Sequence, residues 1–162
     1  MIQRTLVLIK PDGVQRGLIG EILSRFEKVG LKIVGMKMVW IDKNFAEKHY
    51  YDVMDRHGQR VLDNLTEYLS NGPLVAIVLE GVEAIALVRK LAGSTYPSES
   101  LPGTIRGDYA HISKNYANTY NRTVGNLIHA SAKPEEAKIE IELWFTDKEL
   151  HSYKTVHDIH IL

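Results

Sequence analysis

The sequence predicts an α/β (α+β) domain in which helices pack on a four-stranded antiparallel sheet. Three observations support this prediction. Four short runs of aliphatic and β-branched residues have the length of strands. Between them, apolar residues recur at the three- and four-residue spacing of amphipathic helices. The chain has 162 residues, 44% of them hydrophobic, which is enough for one domain over residues 1–162 with a full core.

The first strand is predicted from Arg4 to Lys10, where the apolar run is nearly continuous and β-branched residues alternate. Such a run is typical of a strand covered on both faces. Pro11-Asp12-Gly13 then predicts a turn, because proline presets one backbone angle and glycine permits unusual ones. Lys10 at the strand end is either a solvated terminus or a cation that the loop presents.

The next elements are predicted from apolar spacing and capping residues. A helix begins near Ile19 and ends at Gly30. Leu31 to Ile41 alternates like a strand, but its apolar phase switches near Gly35, which predicts a bulge. Asp42 can cap the first of two successive helices. Their apolar faces carry Phe45, His49 and Tyr50, and then Val61, Leu62, Leu65, Tyr68 and Leu69.

The second half repeats the alternation of strand and helix. A strand is predicted at Leu74 to Leu79, and a helix from Val82 to Ala92 that Gly93 ends. Residues 93–125 lose all periodicity, and a loop of that length is usually functional or disordered. A short strand containing His129 follows.

The last predicted element is a helix from Pro134 to Trp144, after which Thr146 or Asp147 can cap a final turn. The elements together form two split βαβ halves. This order predicts the ferredoxin-like βαββαβ arrangement, with the helices on one face of the sheet. The tail histidines His151, His157 and His160 are interpreted as a solvated terminal segment rather than a metal site.

Composition excludes several classes of function. Lysine plus arginine equals aspartate plus glutamate, 20 of each, so no global field favours nucleic acid or a membrane surface. The chain has no cysteine, which excludes disulfides, thiolate metal sites and a cysteine nucleophile. The first apolar run is too short for a signal peptide or a membrane span. We therefore expect a soluble cytoplasmic protein.

The candidate chemistry is phosphoryl transfer. The sequence has no Walker loop, dinucleotide glycine fingerprint, protein-kinase motif or HExxH zinc pattern. It does offer Lys10, Arg89 and Arg106 as cations, Thr95 as a hydroxyl and His129 as a nucleophile, which suits a reaction that depends on positioning and charge neutralisation. Taken singly, His129 is more often a core residue and Arg89 a favourable charge on a helix C-terminus.

Three motifs together carry a resemblance to a known family. They read KPDGVQRG from Lys10, GTIRGDYA from Gly103, and NLIHAS from Asn126, followed by a helix containing ELWF. In this order, from about Thr5 to Leu150, the chain resembles nucleoside diphosphate kinase. The resemblance implies a ping-pong transfer of the γ-phosphoryl group from a nucleoside triphosphate to a nucleoside diphosphate. The histidine that carries the group would be His129.

The same resemblance implies roles for further residues. Glu140 matches the acidic partner of the histidine, and a carboxylate on one ring nitrogen leaves the other free to attack. The matched phosphate and nucleotide contacts are Lys10, Arg89, Thr95, Arg106 and Asn126, with Tyr50 and Ser131 close to the histidine. The resemblance also implies Mg²⁺ held mainly by nucleotide phosphates, no dedicated protein metal site, and a homo-oligomer, either a hexamer or a tetramer.

The chain departs from the family pattern at three places. Counting back from Tyr68 puts Val61 where the family has an aromatic residue that stacks on the base, and an aliphatic side chain can cover a base by dispersion. The segment 109–125 is longer than usual and either extends a subunit contact or lies in solvent. Ala130 and Ala132 replace a glycine and an aspartate. A non-catalytic relative of the same fold is the alternative function.

Overall fold

The computed structural model describes residues 1–160, which form a four-stranded sheet with helices between and around the strands. The strands are β1 Ile2–Ile9, β2 Lys32–Val39, β3 Leu74–Val82 and β4 Ile128–Ala130. The α-helices are α1 Pro11–Gln15, α2 Ile19–Glu27, α3 Lys43–His49, α4 Val53–His57, α5 Gln59–Ser70, α6 Ala84–Ala92, α7 Ile105–Tyr109, α8 Lys114–Thr119, α9 Pro134–Trp144 and α10 His157–His160. Short 3-10 helices span Pro97–Glu99 and Asp147–Glu149.

The sheet has the order β2-β3-β1-β4, and each described strand pair is antiparallel. This order confirms the predicted ferredoxin-like arrangement. The pairing of β2 with β3 shifts register between Ile33 and Gly35, so the predicted bulge is also confirmed. In the pairing of β1 with β4, His129 lies opposite Leu8, which places the histidine on an edge strand, beside the C-terminal end of β1.

Helices cover both faces of the sheet, whereas one covered face was predicted. On one face, Val7 and Ile9 of β1 belong to a core that α2 and α6 complete. On the other, Leu6 and Leu8 pack with residues of α3, α5 and α9. Successive side chains of a strand point to opposite faces, so both must be apolar when both are covered. The continuous apolar run of β1 is therefore explained by the second helical layer.

The region after β1 differs from the prediction of a turn, because Pro11 begins the helix α1. Proline suits the first helical position, where its fixed φ fits the helix and its missing N–H is not needed. Gly13 allows this helix to lie close to the sheet. A Cβ at that position would meet Ile9 Cγ2 at 2.9 Å and the carbonyl oxygen of Leu127 at 3.3 Å.

The predicted loop of residues 93–125 contains three short helical segments. Thr104 caps α7 by accepting a hydrogen bond from the Gly107 N–H, and Ser113 caps α8 by accepting one from the Tyr116 N–H. Helices of five or six residues complete fewer than two turns, so their apolar spacing does not repeat. The helix α4, residues 53–57, was not predicted for the same reason, since it has only five residues.

The other boundaries agree closely with the predictions. Asp42 caps α3 through the Phe45 N–H, and Thr146 forms a capping box with Glu149. Val82, predicted to start a helix, ends β3 instead, and α6 begins two residues later.

Among residues 1–160, no helix has the length and apolar character needed to cross a membrane.

Candidate active site

A cavity of about 300 Å³ opens where β1, β4 and the surrounding helices meet. Its wall collects most of the residues that the sequence singled out, from segments far apart in the chain. Ser131 lies behind the wall, whereas Val61 lies outside it. The predicted residues that line the cavity are Lys10, Tyr50, Arg89, Thr95, Arg106, Asn126, His129 and Glu140.

His129 contributes a partly buried imidazole to this wall, with a side chain 21% exposed. Its Nε2 lies 2.8 Å from Oε1 of Glu140. A carboxylate only accepts hydrogen bonds, so the neutral ring carries its proton on Nε2 and keeps the lone pair on Nδ1. In that tautomer Nδ1 is the ring nitrogen without a hydrogen.

Glu140 is held in place from behind by Ser131. The Ser131 hydroxyl donates to Oε2 of Glu140 at 2.6 Å and accepts from the backbone N–H of Leu6 at 3.2 Å. Both polar side chains are buried, Ser131 completely. This chain of hydrogen bonds connects strand β1 to the imidazole of His129 and fixes the ring orientation.

The backbone just before His129 is strained. Leu127 has φ +68° although it is not glycine, and the Ile128 N–H donates to the Asn126 carbonyl at 2.7 Å, which closes a tight γ-turn. Neighbouring groups hold the turn. The Leu127 N–H donates to Oδ2 of Asp12 at 3.2 Å, and its carbonyl accepts from the Lys10 N–H at 2.8 Å.

Lys10 is buried at the base of the cavity, 6% exposed. Its Nζ donates to Oδ1 of Asn126 at 2.7 Å. Burial and the positive charge of Arg106 lower the pKa of Lys10 to about 7, although Asp12 opposes the shift. The ammonium therefore gains strongly from any anion that enters the cavity.

Arg106 is used mainly to brace the main chain. Its Nε donates to the carbonyl of Asn126 at 3.1 Å and its Nη2 to that of Ile128 at 2.7 Å. Its Nη1 donates to the carbonyls of Gly93 and Ser94 at 3.0 and 3.1 Å. These bonds occupy four of the five guanidinium hydrogens. Most of the guanidinium is thus committed to the main chain, and one Nη2 hydrogen has no partner among the described residues.

The remaining predicted residues surround this centre. Arg89 is exposed and reaches the cavity from α6. Burial, followed by the positive charge of Arg89, lowers the pKa of Arg106 to about 10. Asn126 donates from Nδ2 to the Thr95 carbonyl at 2.9 Å, so Thr95 contributes its backbone as well as an exposed side chain. Burial, followed by the charge of Glu140, raises the pKa of Tyr50, whose hydroxyl has no partner among the described residues.

His49 and Arg56 are among the cavity residues to which the sequence assigned no role in the site. His49, predicted only as part of an apolar helix face, lies against His129 with ring centroids 4.5 Å apart. Arg56 pairs with Asp52 at 2.9 Å at the cavity wall. The sequence signal for His49 was its place beside Tyr50, but helical spacing alone does not distinguish a core histidine from one in a site.

Val61 is 37% exposed and lies in a separate groove between α5 and α8. Polar residues share this groove, among them Asn64 and Asn118. The structure thus places Val61 in this groove and not in the wall of the cavity that contains His129.

The geometry is matched by comparisons with known proteins. The family model described as nucleoside diphosphate kinase matches residues 3–150. The chain belongs to the nucleoside diphosphate kinase family. It is 48% identical over 156 residues to a nucleoside diphosphate kinase of Borreliella burgdorferi, covering 95% of this chain and 93% of the relative. A relative from Sulfurisphaera tokodaii is 51% identical over 149 residues, with 92% of each chain covered.

Solved structures of the family agree with the fold. A transition-state mimic of the nucleoside diphosphate kinase from Borrelia burgdorferi, with bound vanadate and ADP, superposes with a TM-score of 0.95 at 46% identity. The match covers 99% of this chain and 96% of that one. The Halobacterium salinarum enzyme in complex with CDP gives a TM-score of 0.86 at 39% identity, with 100% and 99% covered. The chain is thus a phosphotransferase of the nucleoside diphosphate kinase family.

Proposed function

We propose that the chain transfers the γ-phosphoryl group of a nucleoside triphosphate to a nucleoside diphosphate by a ping-pong mechanism through a phosphohistidine at His129. The observation that carries this proposal is the contact between Nε2 of His129 and Glu140. It leaves the Nδ1 lone pair of a cavity-lining ring for attack, beside Lys10 and Arg106. Splitting the transfer lets one cavity serve donor and acceptor in turn.

In the first half-reaction, Nδ1 of His129 forms a bond to the γ-phosphorus. The bond between that phosphorus and the bridging oxygen breaks, and its electron pair leaves with the nucleoside diphosphate. The imidazole becomes positively charged, and the Glu140 carboxylate stabilises that charge. The second half-reaction is the reverse, with a different nucleoside diphosphate as the acceptor.

The cations of the cavity have complementary tasks in this scheme. Lys10 is buried and gains most from neutralising a phosphate oxygen. Arg89 is exposed at the wall and has its guanidinium available for the outer phosphates. Arg106 keeps Asn126 and the His129 strand in place and offers one remaining N–H. Thr95, Asn126 and Tyr50 complete the polar wall.

Two relatives support nucleotides as substrates, since their structures hold ADP with vanadate and CDP. We propose Mg²⁺ as the cation, held by the phosphates and water. Among the described residues, the one cluster with metal-ligand spacing is His49, His129 and Glu140. Two imidazoles and one carboxylate are a poor match for Mg²⁺, which prefers oxygen ligands. Val61 is retained as the proposed contact to the base, supported by its exposure in the groove beside α8.

A homo-oligomer, either a hexamer or a tetramer, is also part of the proposal. Its support is the edge strand β2 and the residue that follows it. Met36, Met38 and Trp40 are 53%, 56% and 70% exposed there. An apolar row on a sheet edge is suited to contact with another chain. Sedimentation as a monomer at micromolar concentration would contradict this part.

The decisive experiment is labelling with γ-labelled ATP and Mg²⁺. The protein is expected to take up an acid-labile, base-stable label, as a phosphoramidate does, and to lose it when any nucleoside diphosphate is added. His129→Gln is expected to remain unlabelled. Equal labelling of His129→Gln contradicts the assignment of the nucleophile, and absence of label from the wild type favours a non-catalytic relative.

A further inference from the structure

His49 is a buried histidine at the end of α3, 3% exposed, in the wall of the cavity. Its ring meets that of His129 edge to face, at 4.5 Å between centroids and 83° between planes. A ring nitrogen of each histidine and a Glu140 oxygen lie within 4.8 Å of one another. The phosphoryl-transfer scheme above assigns this residue no task.

The contact to Trp144 determines where His49 carries its proton. The indole Nε1 donates to Nδ1 of His49 at 3.1 Å. An indole N–H only donates, so Nδ1 must present its lone pair and Nε2 must carry the hydrogen. Burial, together with the charges of His129 and Lys10, keeps the pKa of His49 well below its ordinary value, which maintains the neutral ring.

The Nε2–H of His49 is therefore a fixed donor, and it has no hydrogen-bond partner among residues 1–160. Its atom is fully buried, and the geometry of the ring directs it away from Trp144. A buried donor without an acceptor is unfavourable in the resting protein. Such a group is stabilised when an anion enters beside it.

We propose that Nε2–H of His49 is a catalytic donor that binds a non-bridging oxygen of the phosphoryl group while that group is bonded to His129. The proposal rests on the phosphoryl transfer through His129 described above. His49 transfers no proton. It donates one hydrogen bond as the nitrogen–phosphorus bond forms, and the leaving electron pair still departs with the nucleoside diphosphate.

The tautomer also distinguishes an anion from a metal ion as the partner. To coordinate a metal through Nε2, His49 would have to move its hydrogen to Nδ1. That hydrogen would then face the donor of Trp144, and two N–H groups would point at each other. The indole thus favours an oxyanion at this position over a transition-metal ion.

The test compares two substitutions at His49. His49→Gln can place an amide N–H near the position of Nε2, whereas His49→Leu has no donor. Single-turnover formation of the phosphoenzyme from ATP and Mg²⁺ is expected to slow about 10- to 100-fold in His49→Leu, and markedly less in His49→Gln. His111→Leu, at an exposed histidine outside the cavity, is the matched control and should react like the wild type.

Folding is controlled separately, because His49→Leu leaves the Trp144 N–H buried without an acceptor. The double variant His49→Leu/Trp144→Phe removes both groups and is expected to fold, yet to react as slowly as His49→Leu. Urea denaturation verifies that each variant is native at the assay temperature. A folded double variant with the wild-type rate overturns the proposal, as does an equal loss in His49→Gln and His49→Leu.

A spectroscopic measurement on the wild type requires no substitution. With ¹⁵N-labelled histidine, the His49 Nε2 signal should show a directly bonded proton in the free protein and move when His129 is phosphorylated. An unmoved signal in a fully phosphorylated sample overturns the proposal. If the wild type forms no phosphoenzyme, the phosphotransfer scheme itself fails, which is a distinguishable result.

Discussion

Nε2 of His129 and Oε1 of Glu140 lie 2.8 Å apart, and Ser131 holds the second oxygen of the same carboxylate at 2.6 Å. Because Nε2 is the donor of this pair, the other ring nitrogen keeps its lone pair. In the proposed transfer, the carboxylate also lies beside the ring on which positive charge would develop as Nδ1 bonds to phosphorus.

Replacing Glu140 by glutamine tests the charge of this pair. The amide oxygen can still accept from Nε2, but it no longer compensates the developing positive charge on the ring. We expect phosphoenzyme formation to slow about 10- to 100-fold. Glu142→Gln, at an exposed position of the same helix, is the control and should leave the rate unchanged. Equal rates in both variants would show that the charge of Glu140 is not used.

The lowered pKa of Lys10 predicts that nucleotide binding depends on pH. Its pKa in the free protein is about 7, so at higher pH the amine is largely neutral, whereas a bound polyphosphate favours the charged form. Binding about one pH unit above that value should therefore take up close to one proton, and affinity should fall as pH rises. Calorimetry in two buffers of different ionisation enthalpy measures the uptake. Lys10→Met should abolish it, and persistent uptake in that variant would assign it to another group.

The same shift has a consequence for stability. An unfolded lysine keeps its proton up to about pH 10.4, so from about pH 7 to that value the unfolded chain binds more protons at this residue than the native one. The contribution of Lys10 to the free energy of unfolding therefore rises with pH in this window. Urea denaturation at several pH values, compared with Lys10→Met, isolates that contribution. A wild type and variant with the same slope would contradict it.

Arg106 and Arg89 are expected to respond differently to replacement by lysine. Lysine at position 106 cannot bind four main-chain carbonyls, so the free energy of unfolding should fall by about 2 to 4 kcal/mol, and kcat/KM should fall with it. Arg89→Lys, at an exposed side chain, should change stability by less than about 0.5 kcal/mol and mainly weaken nucleotide binding. Equal stability losses in the two variants would refute this division of roles.

Alanine substitutions at two helical glycines, Gly13 and Gly20, test the packing of α1 against the γ-turn at Leu127. Gly13→Ala places a methyl group 2.9 Å from Ile9 Cγ2 and 3.3 Å from the Leu127 carbonyl, and should cost about 1 to 3 kcal/mol. Gly20→Ala in α2 meets nothing within 4 Å and should stabilise by about 0.5 to 1 kcal/mol through helix propensity. Thermal or urea denaturation measures both. The result to be checked is the opposite sign of the two changes.

The sequence predicted the elements whose pattern is long enough to repeat. The strands around Val7 and Ile77, the bulge at Gly35 and the cap at Asp42 could be predicted because alternation and capping are local properties. The helices α4, α7 and α8 could not, since each has only five or six residues and completes too few turns for a period to appear. The apolar run of β1 indicated cover on both faces, but it does not identify which segments cover them, and the order of the elements predicted helices on one face only.

Three motifs, through their residue types and order, were enough to predict the family and to select His129 with its surrounding cations. The contacts of each of these side chains became known only from the folded chain. It commits Arg106 to four carbonyls, pairs Nε2 of His129 with Glu140, and places the ring of His49 against the ring of His129. The physical reason is that protonation and hydrogen-bond direction depend on neighbours brought together from distant segments, which no local pattern records.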